Sequence, residues 1–329
     1  MYTDKSIFQL LKILSDGKIH TYKSLSASLG CTSLSLVKFL QDTFHQDIDI
    51  NQIRGVGLCW QRPFEWINES VVRSYLSDQE RNFNIVIFDL LDSTNSYLLR
   101  NKSYYLKDIR TPVVVAELQT RGRGTNNRSW FSDLGGCLTF SILWKFKRNI
   151  KYLSSLSLAL GVSLIRAFKN ISLDNIQLKW PNDIVHNKRK FAGILIECKT
   201  NRDGSVTAII GIGVNLKLSS NIPHCLNYSA TDLFQISGRM HSRNQILALL
   251  LSELRCVLES FGTDGFSIFR DEWESYHAYQ GQSVVLHLSN QDNIEGIVDG
   301  VKNDGSLVLI TSSGRQHYNI GEISLRTIV

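Results

Sequence analysis

The chain has 329 residues, 43% of them hydrophobic and 20% charged, which predicts a globular protein of two or three domains rather than a disordered one. We find no window of about 18 apolar residues, which argues against a membrane span, and the N-terminus lacks the cleavage site of a signal peptide. The six cysteines form no C-x-x-C pair, which excludes a disulfide scaffold or a thiolate zinc site and favours the reducing cytoplasm. The net charge of +6 permits an anionic partner without identifying one.

The first 66 residues carry the pattern of a helix-turn-helix followed by a hairpin. Thr21 is placed to cap a second helix that ends at Gly30, and Ser33 is placed to cap a third. Two strands flank a turn at 54–57, which is typical of the wing in a winged helix. The first predicted helix covers 5–14, the second carries Leu25 and Leu29, the third carries Leu36, Val37 and Leu40, and the strands cover 48–53 and 58–60.

Residues 67–277 mix strands with apolar helices, and glycine-bearing turns separate most of the strands, which predicts an α+β layer arrangement. Neither G-x-G-x-x-G nor G-x-x-x-x-G-K-[ST] occurs, so neither of these nucleotide-binding fingerprints applies. Gly262 is placed to end the second of two long apolar helices. The predicted strands cover 85–90, 113–118, 137–143, 177–179, 194–198 and 208–211, and the predicted helices cover 153–169 and 245–261.

The sequence pattern changes at 278–329, where short predicted strands lie about ten residues apart and are separated by glycine-containing turns. This spacing predicts a small closed β-barrel. We therefore expect three domains, at 1–66, 67–277 and 278–329. The predicted strands of the last domain cover 283–288, 294–298, 307–310, 316–319 and 323–328.

A loop with alternating glycine and arginine, Q-T-R-G-R-G-T-N-N-R-S-W at 119–130, lies between two predicted strands. Glycine lets backbone N–H groups approach a ligand closely, and the forked guanidinium group matches the paired oxygens of a phosphate or carboxylate. Trp130 adds a flat apolar wall suited to a ring-shaped ligand. The pattern indicates an anion-binding loop; the alternative is a solvated basic loop beside a core tryptophan.

A second candidate is K-W-P-N-D at 179–183, which follows an apolar strand. Pro181 forces a turn, and the side chains of Asn182 and Asp183 can hydrogen-bond their own backbone to fix it. Lys179 then projects a positive charge into the cleft at the end of the strand. The alternative is an ordinary corner between two strands with a surface lysine.

Three further segments place polar groups or glycine beside predicted strands. D-S-T-N at 92–95 follows a strand, and Ser93 or Thr94 can cap a helix or offer neutral donors and acceptors to a small polar ligand. Gly193 and Gly211 begin apolar segments in which glycine permits a ligand to pack on the strand backbone.

Taken in this order, these motifs strongly resemble those of the biotin–protein ligase family, in the bifunctional form that is also a biotin-operon repressor. The resemblance covers nearly the whole chain. It implies an N-terminal winged helix-turn-helix, a central mixed α/β ligase domain of the biotin/lipoate ligase type, and a C-terminal SH3-like barrel. It rests on DSTN at 92–95, QTRGRGTNNRSW at 119–130, LKWPND at 178–183, AGILIE at 192–197, GIGVNL at 211–216 and GEISLR at 321–326.

The resemblance implies an ATP-dependent ligase that joins biotin to one lysine of a biotin carboxyl carrier protein of acetyl-CoA carboxylase. The carboxylate of biotin attacks the α-phosphorus of ATP, and the acceptor lysine then attacks the resulting biotinoyl-AMP. Both steps build negative charge on phosphate oxygens, so fixed cations and N–H donors supply most of the catalysis. Mg²⁺ is expected on the polyphosphate, held mainly by phosphate oxygens and water, and no metal site made of protein ligands is predicted.

By the same resemblance, the expected catalytic cations are Lys179, Arg123 and Arg128, which hold the carboxylate and the α-phosphate. Trp130 is expected to stack over the adenylate, and Asp183 to orient the strand that carries the lysine. The residues expected to bind biotin or the adenylate are Ser93, Thr94, Asn95, Gln119, Gly122, Arg123, Gly124, Thr125, Trp130, Lys179, Asp183, Gly193, Gly211, Asn215 and Arg326.

The glycine–arginine loop departs from the family pattern G-R-G-R-x-G-R-x-W at two positions. Asn127 replaces a glycine, which is a mild change because asparagine tolerates a left-handed backbone. Thr125 replaces an arginine and removes one charge from the loop. We therefore expect weaker retention of biotinoyl-AMP, unless Arg121 supplies the missing charge.

The resemblance also implies a biotin operator as a DNA partner and a homodimer that forms through the central sheet once adenylate is bound, with no membrane partner. Few basic residues lie in the helix-turn-helix, so a retained fold with weakened operator binding is the alternative. The candidate DNA-contacting residues are Tyr22, Lys23, Thr32, Ser33, Ser35, Lys38, Gln41 and Arg54.

Two other functions compete with the biotin ligase. A lipoate ligase shares the fold and the adenylation chemistry, but the glycine–arginine loop and the K-W-P-N-D run favour biotin. A ligand-sensing repressor with an inactive ligase core has no need for the α-phosphate clamp that Lys179 and Arg123 suggest.

Overall fold

The computed structural model describes residues 4–36, 50–61, 63–77, 82–219, 229–288, 293–319 and 323–327, with the backbone alone at 4–6 and 323–327. The chain divides into two compact units. The first comprises Met1–Trp66 with Ser219–Asn221, and the second comprises Ile67–Leu218 with Ile222–Val329.

The first unit contains short helices and a three-stranded antiparallel sheet in the order β1-β3-β2. Thr21 caps the second helix as predicted, since its hydroxyl accepts a hydrogen bond from the backbone N–H of Ser24 at 3.1 Å, and Gly30 follows with a φ of +63°. The elements are α1 (Asp4–Leu14), β1 (His20–Thr21), α2 (Tyr22–Ser28), β2 (Ile50–Ile53) and β3 (Gly57–Trp60).

A third helix starts at residues 33–36, and its cap differs from the prediction. Thr32, not Ser33, is the capping residue, because the Thr32 hydroxyl accepts from the backbone N–H of Ser35 at 3.1 Å. The hydroxyl of Ser33 lies instead 3.2 Å from that of Ser26. Leu36 is buried as predicted, whereas Val37 and Leu40 lie outside the described residues.

The second unit is built on a seven-stranded sheet in the order β4-β5-β6-β10-β9-β8-β7. β4 and β5 are parallel, and the other neighbours are antiparallel. The predicted strands are present, and all except β7 are longer than predicted; β9 and β10 continue through glycine, and β8 was not predicted. The strands are β4 (Phe83–Leu91), β5 (Thr111–Gln119), β6 (Cys137–Phe146), β7 (Gln177–Lys179), β8 (Asp183–His186), β9 (Arg189–Thr200) and β10 (Val206–Asn215).

Helices cover both faces of this sheet. Val113 and Val115 of β5 belong to the main core with the two long apolar helices, whereas Val114 packs in a second cluster with Leu98, as expected from the alternation of side chains along a strand. The helices are α3 (Glu69–Ser74), α4 (Thr94–Tyr105), α5 (Leu156–Lys169), α6 (Leu233–Ser237), α7 (Arg243–Asp264) and α8 (Arg270–Ser275).

Two predictions about the long helices were wrong in detail. Gly262 does not end a helix; it lies inside α7, which stops at Gly265, where φ is +75°. The predicted helix at 153–169 is α5 preceded by a 3₁₀ turn at Ile150–Leu153. Together Ile150–Lys169 reach the length and mean hydropathy (1.2) of a membrane span, contrary to the expectation, but 67% of that window is buried in the core.

The C-terminal residues form a five-stranded antiparallel sheet in the order β14-β13-β12-β11-β15. Among the described strands β14 and β15 are not paired, so the closed SH3-like barrel stays a prediction. The segment 276–278, which precedes this sheet, runs beside β7: the N–H of Leu178 donates to Tyr276 O, and the N–H of Ala278 donates to Leu178 O. The strands are β11 (Ser283–Leu288), β12 (Asn293–Val301), β13 (Leu307–Thr311), β14 (Gly314–Tyr318) and β15 (Ile323–Thr327).

Candidate active site

Two adjoining cavities lie where the glycine–arginine loop meets β9 and β10. The inner recess holds about 50 Å³ and the outer cleft about 1060 Å³. Among the predicted residues, the inner recess is lined by Ser93, Thr94, Asn95, Gln119, Arg123, Gly124, Thr125, Trp130, Gly193 and Gly211. The outer cleft is lined by Arg123, Gly124, Thr125, Arg128, Trp130, Lys179, Asp183 and Asn215. Segments far apart in the sequence therefore meet at one place.

The D-S-T-N motif forms the first turn of α4 beside the inner recess. The Ser93 hydroxyl caps the helix by accepting from the N–H of Ser96 at 3.4 Å. Asp92 accepts two hydrogen bonds from Arg100, at 2.6 and 2.9 Å, and these lower the pKa of Asp92 to about 2. Ser93, Thr94 and Asn95 are all at least 96% buried, so their polar groups face the protein interior and the recess.

A continuous chain of hydrogen bonds connects the polar residues of the recess. The backbone N–H of Thr94 donates to Gln119 Oε1 at 2.8 Å, and the Ser141 hydroxyl lies 2.6 Å from both Thr94 Oγ1 and Asn95 Oδ1. The Asn95 amide donates to Glu197 at 3.0 Å. Glu197 in turn accepts from Arg123, where this series of hydrogen bonds ends.

Arg123 is held by a carboxylate that the sequence analysis did not single out. Its guanidinium group forms two hydrogen bonds with Glu197, at 2.8 and 3.1 Å, and a third with the Ser96 hydroxyl at 3.3 Å. The Arg123 side chain remains 43% exposed. Arg123 thus lines both cavities while it is paired with Glu197, a partner that the prediction did not include.

The glycine–arginine loop folds back on itself as a tight hairpin. The N–H of Gly124 donates to Arg128 O at 2.7 Å, and the N–H of Trp130 donates to Gly122 O at 2.9 Å. Asn126 and Asn127 close the turn with φ values of +54° and +57°. Asn127 therefore adopts the left-handed backbone that was predicted to make its replacement of glycine mild.

Gly193 and Gly211 line the inner recess, and protein side chains lie directly on their backbone. A Cβ at Gly211 would lie 2.3 Å from Asn95 Oδ1, and a Cβ at Gly193 would lie 2.9 Å from Cε of Lys190. Gly213 is covered in the same way by the indole ring of Trp130. These glycines admit protein side chains to the recess and so bring Asn95, Lys190 and Trp130 against the backbone of β9 and β10.

Asp183 pairs with a lysine that was not among the predicted site residues. Its carboxylate forms an ion pair with Lys190 at 2.6 Å, although its neighbour in the strand ladder is Lys179. The ammonium group of Lys190 also lies 5.6 Å from the centre of the Trp130 ring, within the range of a cation–π contact. Lys190 lines both cavities and is thus a candidate site residue that the sequence analysis missed.

The outer cleft carries the remaining predicted cations. Lys179 ends β7, and Arg128 lies in the glycine–arginine loop; both line the cleft. Two residues outside the strands of the C-terminal sheet line the same cleft: Asp304, in the turn between β12 and β13, and Asn319, which follows β14. The turn between β12 and β13 is held against the K-W-P-N-D motif, because the Trp180 indole N–H donates to Gly305 O at 2.9 Å.

Some predicted residues are placed elsewhere. Gly122 is buried behind the loop, where a Cβ would lie 2.4 Å from Trp130 O. The side chain of Arg326 lies outside the described residues. Asn215 reaches the cleft but donates its amide to Thr231 O at 3.0 Å. Arg121, the suggested substitute for the missing arginine, is not among the described residues that line either cavity.

The candidate DNA-contacting residues lie in the first unit. Lys23, Thr32, Ser33 and Arg54 are exposed, while Tyr22 and Ser35 are half-buried. The Ser35 hydroxyl is held 2.8 Å from that of Thr32. Lys38 and Gln41 lie outside the described residues.

Comparison with known proteins places this site in a family. Residues 87–215 match the biotin/lipoate A/B protein ligase family, and residues 280–326 match the biotin protein ligase C terminal domain. The bifunctional ligase/repressor BirA of Salmonella typhimurium is 29% identical over 97% of each chain, and that of Bacillus subtilis is 26% identical over 92% of this chain and 93% of its own.

A solved structure extends the match to the fold. The biotin protein ligase from Aquifex aeolicus, in complex with biotin and ATP, is 31% identical with a TM-score of 0.64. The match covers 74% of this chain and 99% of that one. The site geometry, the two family matches and this structural likeness agree, and the chain belongs to the biotin protein ligase family.

Proposed function

We propose that this protein is an ATP-dependent biotin–protein ligase. The observation that carries the proposal is the meeting of two chemically different cavities at the glycine–arginine loop. Arg123 and Lys190 line both cavities. Beside them, the inner recess presents neutral donors and acceptors, which suit the ureido ring of biotin. The outer cleft adds Arg128 and Lys179, which suit a carboxylate and phosphates.

The chemistry is an adenylation followed by an acyl transfer. An oxygen of the biotin carboxylate attacks the α-phosphorus of ATP, and pyrophosphate leaves. The amine of the acceptor lysine then attacks the carbonyl carbon of biotinoyl-AMP, loses a proton, and AMP leaves. The cations of the cleft stabilise the charge that builds up on the phosphate oxygens in both steps.

Mg²⁺ fits this cleft as a companion of the ATP phosphates. The described residues contain no group of three or more His, Cys, Asp or Glu side chains that could form a metal cage. Asp304 and Asn319 line the outer cleft with the oxygen donors that Mg²⁺ prefers. Bound there, Mg²⁺ would neutralise charge on the polyphosphate.

The exchange of labelled pyrophosphate into ATP tests the first step. We expect exchange that requires biotin and is not supported by lipoate. Exchange with lipoate but not biotin would assign the chain to the lipoate ligases. The absence of exchange with either ligand would favour the remaining alternative, a ligand-sensing repressor with an inactive ligase core.

We further propose that the protein acts on a biotin carboxyl carrier protein in the cytoplasm and forms a homodimer when adenylate is bound. The described cysteines are free thiols, which suits a reducing compartment.

The two edge strands of the large sheet are β4 and β7. The segment 276–278 runs beside β7, so among the described strands β4 is the open edge. An open edge is a template for pairing with a second copy, and sedimentation with and without biotin and ATP tests it.

We propose a second role as a biotin-responsive repressor. It is supported by relatives named ligase/repressor that align over nearly the whole chain, and by exposed Lys23 and Arg54 in the first unit. A gel shift with a biotin operator fragment tests the role: biotin plus ATP should strengthen binding. Arg54→Ala should reduce the slope of log affinity against log salt by about 1, whereas Lys199→Ala, outside the unit, should not.

A further inference from the structure

Glu197 is the residue at which two different parts of the recess are joined. One oxygen of its carboxylate accepts from Arg123 at 2.8 Å, and the other accepts from Arg123 at 3.1 Å and from the Asn95 amide at 3.0 Å. The Glu197 side chain is 22% exposed, so these hydrogen bonds are only partly open to solvent. One carboxylate thus fixes two side chains that both line the inner recess.

The charge of Glu197 determines which way the Asn95 amide points. An ionised carboxylate only accepts hydrogen bonds, so it must face the NH₂ group of Asn95 and not the carbonyl oxygen. The Asn95 oxygen is thereby turned to the Ser141 hydroxyl, 2.6 Å away. The Ser141 hydroxyl has one proton and donates it to Asn95 Oδ1. The Thr94 hydroxyl therefore donates to Ser141 Oγ or to Gln119 Oε1.

We propose that Glu197 is a positioning residue that fixes Arg123 for the acid group of biotin and Asn95 for its ureido ring. The inference rests on the proposed function and deepens it: Glu197 determines which atoms of that site donate hydrogen bonds and which accept them. Bidentate pairing uses one edge of the Arg123 guanidinium group, which leaves other N–H donors for ligand oxygens.

A carboxylate at this position differs in kind from an amide. Glu197→Gln keeps the size of the side chain, but its amide can donate as well as accept, so Asn95 is no longer held in one orientation. Hydrogen bonds to a charged group contribute more than neutral ones, and we expect biotin to bind about tenfold to hundredfold more weakly. KM for biotin should rise more than KM for ATP.

A matched control exists outside the site. Glu272 accepts two hydrogen bonds from Arg166, at 3.0 and 2.5 Å, with 30% of its side chain exposed. Glu272→Gln therefore removes a similar ion pair without touching either cavity. It should lower the melting temperature at least as much as Glu197→Gln, while biotin affinity stays at the wild-type value.

Calorimetric titration of the full chain with biotin and with the alcohol analogue of biotin, which lacks the carboxylate, tests the proposal. Glu197→Gln should weaken binding of both ligands, because the analogue keeps the ring that Asn95 faces. Unchanged binding of the analogue overturns the proposal. Wild-type protein that binds neither ligand overturns the proposed function, and the inference with it.

A double-mutant cycle gives a second test that does not depend on the stability of one variant. If Glu197 acts through the Asn95 amide, Ser141→Ala should weaken biotin binding in the wild type and have little further effect in Glu197→Gln. Additive effects of the two changes overturn the proposal.

Discussion

The indole ring of Trp130 lies directly on the backbone of Gly213, so that a Cβ at residue 213 would fall 2.4 Å from Cε2 of the ring. No real Cβ contact is so short, and an indole ring held between a loop and a strand has little room to yield. Gly213 is thus the position that allows Trp130 to close one side of the inner recess.

We expect Gly213→Ala to displace the Trp130 ring and to reduce biotin-dependent adenylation by about tenfold, with a loss of stability of about 1–3 kcal/mol from overpacking. Pyrophosphate exchange and thermal unfolding measure the two effects. Gly262→Ala is the control, because its Cβ would meet Phe146 at an ordinary 3.9 Å within α7; it should gain up to about 1 kcal/mol. Wild-type exchange by Gly213→Ala would show that the ring position is irrelevant to the site.

Lys190 should be among the catalytic cations, since it lines both cavities and pairs with Asp183. We predict that Lys190→Gln lowers kcat for adenylation about 10²–10³-fold, the effect of losing one donor to a developing oxyanion. Single-turnover formation of biotinoyl-AMP measures it. Lys199→Gln, at the exposed end of the same strand, should retain the wild-type rate, and an equal loss in both variants would argue against a specific role.

Thr125 lines both cavities at the place where the family pattern has an arginine. We expect Thr125→Arg to slow the release of biotinoyl-AMP, because an added cation in the loop attracts the phosphate. The dissociation rate of preformed adenylate, measured without carrier protein, checks this. Thr120→Arg adds the same charge at an exposed position of the loop that lines neither cavity and should leave the rate unchanged; an unchanged rate in Thr125→Arg as well would contradict the expectation.

His277 makes stability depend on pH below neutrality. Burial lowers the pKa of His277 from 6.5 to about 4, where its ring packs 4.6 Å from that of Trp273. Below pH 6.5 the unfolded chain binds a proton that the folded chain does not, so stability falls as the pH falls toward 4.

From pH 7 to pH 5 this effect amounts to about 2 kcal/mol. His277→Phe, which keeps a ring beside Trp273, should reduce the pH dependence of urea unfolding by that amount. His317→Gln, at an exposed position of β14, should not change it. A wild-type slope in His277→Phe would mean that the ring does not titrate as described.

The sequence sufficed to predict that the motifs meet, but not how their side chains pair. Alternating apolar residues and helix caps such as Thr21 are local signals, and they predicted most strands and helices. The bonds between Asp183 and Lys190 and between Arg123 and Glu197 depend on the register of β8 with β9 and on the path of the loop. No local pattern encodes these.

The role of a glycine is hard to predict from the sequence for a related reason. At Gly262 a helix continues through the residue, and at Gly211 the missing Cβ makes room for Asn95. A glycine signals that a Cβ is unfavourable or unnecessary at that position, but only the three-dimensional neighbours show which.

The most direct measurement of the central claim is the mass of a biotin carboxyl carrier domain after incubation with this protein, biotin and MgATP. We predict a gain of one biotin on one lysine, which requires both biotin and ATP and is slowed about 10²–10³-fold when Lys190 is replaced by Gln. An unchanged carrier mass under conditions in which a known biotin ligase modifies the same domain would contradict the assignment.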